Sequence, residues 1–489
     1  MIDIIKLIDV IQNKLNINCY HFDANLYNNY VNLVYSWYKG DVPTFHNFSE
    51  YNGHEVLYQK KNSLNMAKRV CEDISSLTCN ENINIIMDPS PESEYLLGTD
   101  GMTGILGNCD FWSQLATMYE LTCALGTGAF EVLVDGLIDL NGGVVASTDK
   151  TKIKIINHNA FNIIPLSWDS NRNIREVCFV DSYKIKNNVF VDLRLHILEN
   201  GVYHIINKRL QYVNNISYVV LNNLPDGVIE DFNTGSDIPW FSIIKLPIVL
   251  SQDIGSPLGA SVYGSHCAVL QCIDEAFNDL CIELKRGSKK TFIDRSMLER
   301  DSSGNLIYPS SNNANRLDWI YVGDGLNSNT EKYIQEFNPT LRIEQLTNAL
   351  RESVNIFASM CGLGDNFYKF TATSGITKTA TEVVSEQSDL YRNIRKLEIG
   401  LNKNMLMLFR SLLYASNYIL HTDYDINIPI RIEFDTSIVT DETAERNRAL
   451  QEVQLGLMSV DEYRNRYLSD MVQSEDNNNN NNVSEDTEP

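Results

Sequence analysis

Residues 362–396, GLGDNFYKFTATSGITKTATEVVSEQSDLYRNIRK, decide how the rest of the chain is read. Their first half is a loop punctuated by Gly362, Gly364 and Gly375, and by Thr and Ser instead of helix formers. It carries Phe367, Tyr368, Lys369 and Phe370: three rings and a cation with no obvious core to bury them. Mobility is expected in such a segment. The second half opens at Thr379-Ala380-Thr381-Glu382, where Thr379 and Glu382 have capping-box spacing. In that arrangement each side chain satisfies an orphan backbone N–H of the first turn. The helix so predicted runs to about Asn417 and measures about 60 Å. A compact domain holds such a rod only if it bends, and Gly400 is the expected kink.

Working outward, Asn338-Pro339 opens a helix to about Met360. Its apolar face is Ile343, Leu346, Leu350, Val354, Phe357 and Cys361. Before it, Thr291–Ile293 and Trp319–Val322 are candidate strands around a polar loop at 301–315. Ser256-Pro257-Leu258-Gly259 introduces another helix from about Ala260 to Lys285, with Val262, Val269, Ile273, Phe277, Leu280 and Leu284 on one face. It would span about 40 Å. From about 150 to 250 the period changes to two. Val189, Val191, Leu193, Leu195 and Ile197 alternate with Asp192, Arg194 and His196, and Asn200-Gly201 is a hairpin turn signal.

The first quarter reads as helical. Tyr30–Lys39 stops at Gly40, Ser63–Leu77 is predicted to be capped by Ser63, and Phe111–Leu125 stops at Gly126 before a strand over 131–134. The opening MIDIIKLIDVIQNKLNI lacks a basic n-region and a continuous apolar run, so an amphipathic helix is expected there and not a signal peptide. No run approaches the roughly 18–20 apolar residues of a membrane span, and a soluble, unexported protein is expected. Beyond the long helix, Ile430, Ile432 and Phe434 alternate in a strand predicted to return to the β-rich region, and 440–467 is a helical end rich in Glu and Arg. The fold class is α+β.

The 489 residues suffice for two to four domains and a large core. Ten cysteines show no Cys-x-x-Cys spacing, which argues against zinc and a redox pair and for reduced, mostly buried thiols. The formal charge is −23, and removing the six acids of Asp470–Pro489 still leaves −17. Phosphate neutralisation supplies most nucleic-acid affinity, so a DNA-gripping protein would show the opposite balance. A chain of this balance is not built to hold DNA.

The loop, with the KTATEV and SEQSDLYRNI wording that follows it, closely resembles the portal proteins of tailed bacteriophages, in the branch found in long-tailed phages of Gram-positive hosts. The resemblance covers roughly 30–467 and implies an α+β, portal-like architecture assembled as a ring of about twelve copies. It implies a wing at 1–255, a stem helix at 256–287, a β-containing clip at 288–338 and a second stem helix at 339–361. A tunnel loop at 362–378, a long spine helix at 379–420, a strand returning to the wing at 421–438 and a helical crown at 439–468 complete it. The acidic tail at 469–489 buries too little apolar surface to offset ordering entropy and is expected to be disordered.

The function so implied is a channel at the unique capsid vertex, in the virion and, during assembly, in the host cytoplasm. Double-stranded DNA would pass through it in packaging and ejection without sequence-specific binding. The implied partners are other copies of the chain, the terminase large subunit, a head-completion or adaptor protein, and the major capsid and scaffolding proteins. Neither cofactor nor membrane is implied. A non-channel minor capsid or scaffold-type structural protein is the alternative.

Three sets of residues are candidates for contact. Glu275, Asp279 and Glu283 recur at i, i+4, i+8 on the first stem helix. A solvated face explains them in one helix; in a ring they would stack into acidic collars lining the channel. Lys285, Arg286, Lys289 and Lys290 suit a helix C-terminus through its dipole, or else meet the motor or DNA at the clip mouth. By segment position, the resemblance makes Phe367, Tyr368, Lys369, Phe370 and Lys378 the DNA-facing candidates of the tunnel loop; local anchoring is the alternative for the rings.

Enzyme readings find little support. Ser374–Thr379 glances at a phosphate loop, but Thr377 replaces the glycine before the lysine and the preceding glycine is missing. Gly126-Thr127-Gly128 follows a helix instead of a strand, the wrong side for a dinucleotide fold. The eight histidines lie far apart, outside any H-E-x-x-H context, and no Gly-x-Ser-x-Gly elbow occurs. No catalytic residue, metal ligand or cofactor site is expected, so the energy for packaging would come from a partner.

Overall fold

The computed structural model describes residues 4–51, 55–80, 83–99, 103–140, 145–213, 217–221, 223–225, 227–287, 290–294, 300–305, 319–322, 334–365, 367–368, 380–434, 450–451 and 453–454. The chain opens with α1 (Ile4–Asn13) and α2 (Ala24–Tyr38), the latter capped by Asp23, whose carboxylate accepts the Leu26 N–H at 2.9 Å. A single turn, α3 (Pro43–His46), leads into a hairpin of β1 (Asn47–Tyr51) and β2 (Val56–Lys60). Then come α4 (Met66–Thr78), β3 (Asn84–Ile86), α5 (Pro91–Leu97), α6 (Ile105–Asn108) and α7 (Phe111–Leu125).

The range of α7 matches its sequence signal, and Gly126 closes it at φ 90°. Ser63, however, does not cap α4. The helix starts at Met66 behind Asn65 at φ 55°, because the Ser63 hydroxyl donates to Asp274 at 2.8 Å.

The β-rich part comprises β4 (Thr127–Asp135), β5 (Ile138–Asp139), β6 (Val145–Ala146), β7 (Lys152–Asn159), β8 (Ile163–Trp168), β9 (Ile174–Ile185), β10 (Asn188–Glu199), β11 (Val202–Val213), β12 (Ser217–Leu221), β13 (Asp231–Asn233) and β14 (Phe241–Lys245). One antiparallel sheet runs β12-β11-β10-β9-β8, with β13 on β11; a second runs β14-β4-β7. Between β10 and β11, Asn200 and Gly201 sit at φ 52° and 83°, the two positive values a tight hairpin turn requires.

Side chains alternate across β10. Val191, Leu193, Leu195 and Ile197 face α1, which buries Ile4, Leu7, Val10 and Ile11 against them. The opposite face lies on the second sheet, where Phe179 meets Phe241 edge-on.

The C-terminal half holds α8 (Cys267–Arg286), β15 (Lys290–Asp294), β16 (Trp319–Val322), β17 (Ile334–Phe337), α9 (Ile343–Met360), α10 (Ala380–Leu420) and β18 (Arg431–Glu433). Helix α8 begins later than its apolar period suggests. Upstream, the Gly259 N–H donates to Thr127 Oγ1, the Ser261 N–H to Tyr30 Oη and the Val262 N–H to the Cys123 carbonyl, all at 2.8–3.0 Å. Those bonds hold the backbone of 259–262 against distant segments in an extended path, and the helix starts after it. Gly126 and Gly259 pass so closely that a Cβ on Gly259 would lie 2.3 Å from the Gly126 carbonyl oxygen.

Helix α9 begins at Ile343, inside the predicted range, and buries Leu350, Val354 and Phe357. Strand β15 pairs parallel with β16 and antiparallel with β17, so the predicted strands at 291–293 and 319–322 share one small sheet with a third that periodicity did not reveal. Helix α10 runs 41 residues, about 60 Å, uninterrupted through Gly400. It buries Leu397, Leu401, Met405, Leu408 and Leu412 at helical spacing, and Phe409 reaches Phe111 of α7. Strand β18 does return to the N-terminal half, but it pairs with β3 and not with either large sheet. The Thr379 cap, residues 435–449 and the acidic tail lie outside the described residues.

Candidate functional site

Helices α8 and α9, with the small β15–β17 sheet between them in sequence, are the pair that the sequence reading expected as stem. A buried acid fixes the first half of α8. Asp274 of α8 accepts the Ser63 hydroxyl and the Leu64 N–H, each at 2.8 Å, and pairs with His46 Nε2 at 2.9 Å. The Val42 N–H donates to His46 Nδ1 at 2.8 Å, so the ring proton sits on Nε2 and points at the carboxylate.

Near the end of α8, Glu283 accepts the Arg342 backbone N–H at 3.1 Å and its guanidinium Nη2 at 2.9 Å. One carboxylate thus ties the last turn of α8 to the residue that opens α9. Arg342 holds the Glu283 carboxyl below its usual range.

These contacts change the reading of the acidic stripe. Glu275 pairs with Lys61 at 2.9 Å and Glu283 with Arg342, while Asp279 is exposed. Two of the three acids are therefore matched within the subunit. Of the basic cluster, Lys285 is exposed in the last turn of α8, Arg286 ends that helix and Lys290 begins β15. Lys289 lies outside the described residues.

The loop before α10 is built from a helix end. Gly362 and Gly364, both at φ 81°, turn the chain after Cys361, and Leu363 drops into the core. A Cβ at Gly362 would meet Asn393 of α10 at 2.4 Å. Phe367 and Tyr368 then pack against the core edge-on to each other, and the Tyr368 hydroxyl donates to Asp73 of α4 at 2.7 Å. Burial, aided by that carboxylate, pushes the Tyr368 phenol up. The expectation that no core receives these rings fails for these two: α4, nearly 300 positions earlier, supplies one. Lys369, Phe370 and Lys378 lie outside the described residues.

A second polar centre escaped the sequence reading. Glu131 of β4 is 1% exposed and accepts His158 Nε2 of β7 at 2.8 Å, and His196 Nε2 and Arg194 Nε of β10, each at 2.9 Å. Arg194 reaches on to Asp181 of β9 at 2.6 Å. Burial works against the Glu131 charge, but Arg194 and the two imidazoles outweigh it and hold the carboxyl well below its usual range. The only sequence clue was His196 and Arg194 on one strand face; nothing local said that the face would be covered. The guanidinium occupies the place a cation would take. Among the described residues, no group of three or more His, Cys, Asp or Glu is arranged to hold a metal ion.

The arrangement is thus scaffold-like: helices clamped by ion pairs and two sheets joined by a buried charge cluster. The chain belongs to the family described as phage portal protein, SPP1 Gp6-like, which it matches over residues 23–469. That family is structural, not enzymatic, and its place is the capsid vertex of the virion. No curated protein matches the chain. Among solved structures it is similar to a chain from the neck of a native GTA particle computed with C12 symmetry. The two share 12% identity and a TM-score of 0.36 over 81% of this chain and 88% of that one, a likeness too distant to carry argument. Among the described residues, no helix is long and apolar enough to cross a membrane.

Proposed function

We propose that the chain forms a closed ring at one capsid vertex, a channel through which double-stranded DNA is packaged and ejected. The family match over residues 23–469 carries this reading. The order of helix, small sheet, helix, loop and long helix supports it, with 1–255 as wing, α8 and α9 as stem, β15–β17 in the clip and α10 as spine. The loop-and-helix wording favours a phage with a long tail and a Gram-positive host. As the static part of a packaging machine, the ring would dock the ATP-driven terminase, then an adaptor, and would start shell assembly with capsid and scaffolding proteins. Purified protein should sediment as one large species and show a central hole in negative stain; a stable monomer at micromolar concentration would falsify the ring.

Within that channel, Asp279 and the overall charge of −23 supply the repulsion that keeps DNA sliding. The loop divides into two functions. Phe367 and Tyr368 anchor its first end, leaving Lys369, Phe370 and Lys378 as the residues offered to the duplex. Replacing these last three by Gly and Ser should leave rings and capsids intact and abolish packaging or retention of DNA in a reconstituted motor assay. Normal packaging with all three replaced would remove the loop from the DNA path.

A further inference from the structure

The chain carries 40 Lys and Arg against 63 Asp and Glu, yet part of α10 runs against that balance. Between Asp389 and Leu420 the helix holds five cations, Arg392, Arg395, Lys396, Lys403 and Arg410, and only two acids. Both acids are used within the helix: Asp389 pairs with Arg392, and Glu398 with Arg395 at 3.0 Å. Lys396, Lys403 and Arg410 remain. All three are exposed, and among the described residues none has a carboxylate within ion-pair distance. Asp237 lies on the side of Lys403 and Arg410 without pairing with either. The three cations recur every seven residues, close to two helical turns, so they form one stripe with steps of about 10 Å. A row of unmatched cations on an acidic protein marks a site for an anionic partner.

The last twenty residues, Asp470–Pro489, carry six acids and no base. With no cation of its own, the segment has every carboxylate to offer. The acids fall into three groups: Asp470, then Glu475-Asp476, then Glu485-Asp486 with Glu488. Segments of this composition commonly act as interaction tails.

We propose that the acidic segment 470–489 lies along the Lys396–Lys403–Arg410 stripe, one group of acids to each cation. The spacing allows it. Five residues lead from Asp470 to Glu475 and nine from Asp476 to Glu485, and an extended chain spans about 3.3 Å per residue. Each step of about 10 Å along the stripe is therefore bridged with slack. The contact uses charge instead of apolar burial, so it requires no fold in the segment. Duplex DNA is the rival occupant. Three cations neutralise few phosphates, and the −23 chain opposes the duplex, whereas a tethered segment meets the stripe at high effective concentration. The segment thereby covers a basic face on which DNA would otherwise lodge.

The test uses the full-length protein and carbodiimide coupling, which joins a lysine directly to a carboxylate in contact with it. Mass spectrometry should find Lys396 and Lys403 joined to acids of 470–488, and about 0.5 M salt should suppress the adducts. Asp470→Asn, Glu475→Gln, Asp476→Asn, Glu485→Gln, Asp486→Asn and Glu488→Gln together should remove them. The same variant should bind a random-sequence duplex about tenfold more tightly at low salt. Adding Lys396→Glu, Lys403→Glu and Arg410→Glu should return that affinity to its starting level. If the reversed stripe disturbs folding, the neutralised segment decides alone, since it alters no described residue. Adducts that form only with acids elsewhere, in the same chain or another copy, overturn the contact. So do an absence of adducts, unchanged DNA affinity after neutralisation, or DNA coupled to the stripe while the segment is intact.

Discussion

The two packed sheets and the α8–α9 helix pair use the same chemistry, a carboxylate facing cations, and obtain different things from it. Between the sheets, Glu131 is sealed with Arg194, His158 and His196, each of which bonds to it. Along the helix pair, Glu275–Lys61 and Glu283–Arg342 stand at the surface, where water and salt compete with every partner. A buried pair cannot be broken halfway, because removing one member leaves the other desolvated and uncompensated. A surface pair can open and close at little cost. Burial, not residue type, separates a lock from a hinge pin.

The largest effect should come from breaking the lock. Glu131→Ala should destabilise the protein by about 3 kcal/mol in chemical denaturation, since Arg194 keeps only the half-exposed Asp181 and two buried imidazoles lose their acceptor. An unfolding midpoint within error of wild type would show that the cluster is not what joins the two sheets.

The same carboxylate sets an acid limb. Its folded pKa lies well below the ordinary value of 4.5, so its stabilisation is complete above that value and is lost as pH falls through the depressed folded pKa. Glu131→Gln should flatten stability against pH below about 4.5; an acid limb of unchanged slope would assign it to other groups.

A smaller change is expected at the loop anchor. Tyr368→Phe keeps the ring and removes one hydrogen bond to Asp73, a loss of about 1–2 kcal/mol. Asp73 keeps Arg69 at 2.9 Å, so no buried charge is orphaned. Loss of packaging without loss of stability in this variant would move Tyr368 from anchor to DNA contact.

The smallest effect belongs to the α8–α9 pair. Arg342→Ala should leave the thermal midpoint unmoved within error while making α9 exchange its first-turn amide hydrogens faster. A large drop in midpoint would make the Glu283–Arg342 clamp as structural as the Glu131 cluster.

What could be read in the sequence was what local chemistry determines. Apolar spacing located α9, the stop at Gly126 located the end of α7, and Asn200-Gly201 located the β10–β11 turn, because each signal and its structure lie within a few residues. What stayed hidden depended on distant partners. A period of two on β10 identifies a strand but cannot say that Arg194 and His196 face a second sheet instead of water. The late start of α8 is set by Tyr30 and Cys123, and the burial of Tyr368 by Asp73. Strand β17 is only Ile334–Phe337, with too few alternations to stand out, and the partner of β18 is a three-residue strand far upstream.

The Glu283–Arg342 clamp has a consequence for how this architecture can change over generations. It brings Glu283, near the end of α8, and Arg342, just before α9, within one hydrogen bond of each other, so the intervening segment leaves and returns at one point. Closing a longer loop costs little more than closing a short one, about 0.6 kcal/mol per doubling of length. The segment 287–341 can therefore be lengthened, shortened or exchanged like a graft on a rootstock while the two helices keep their register.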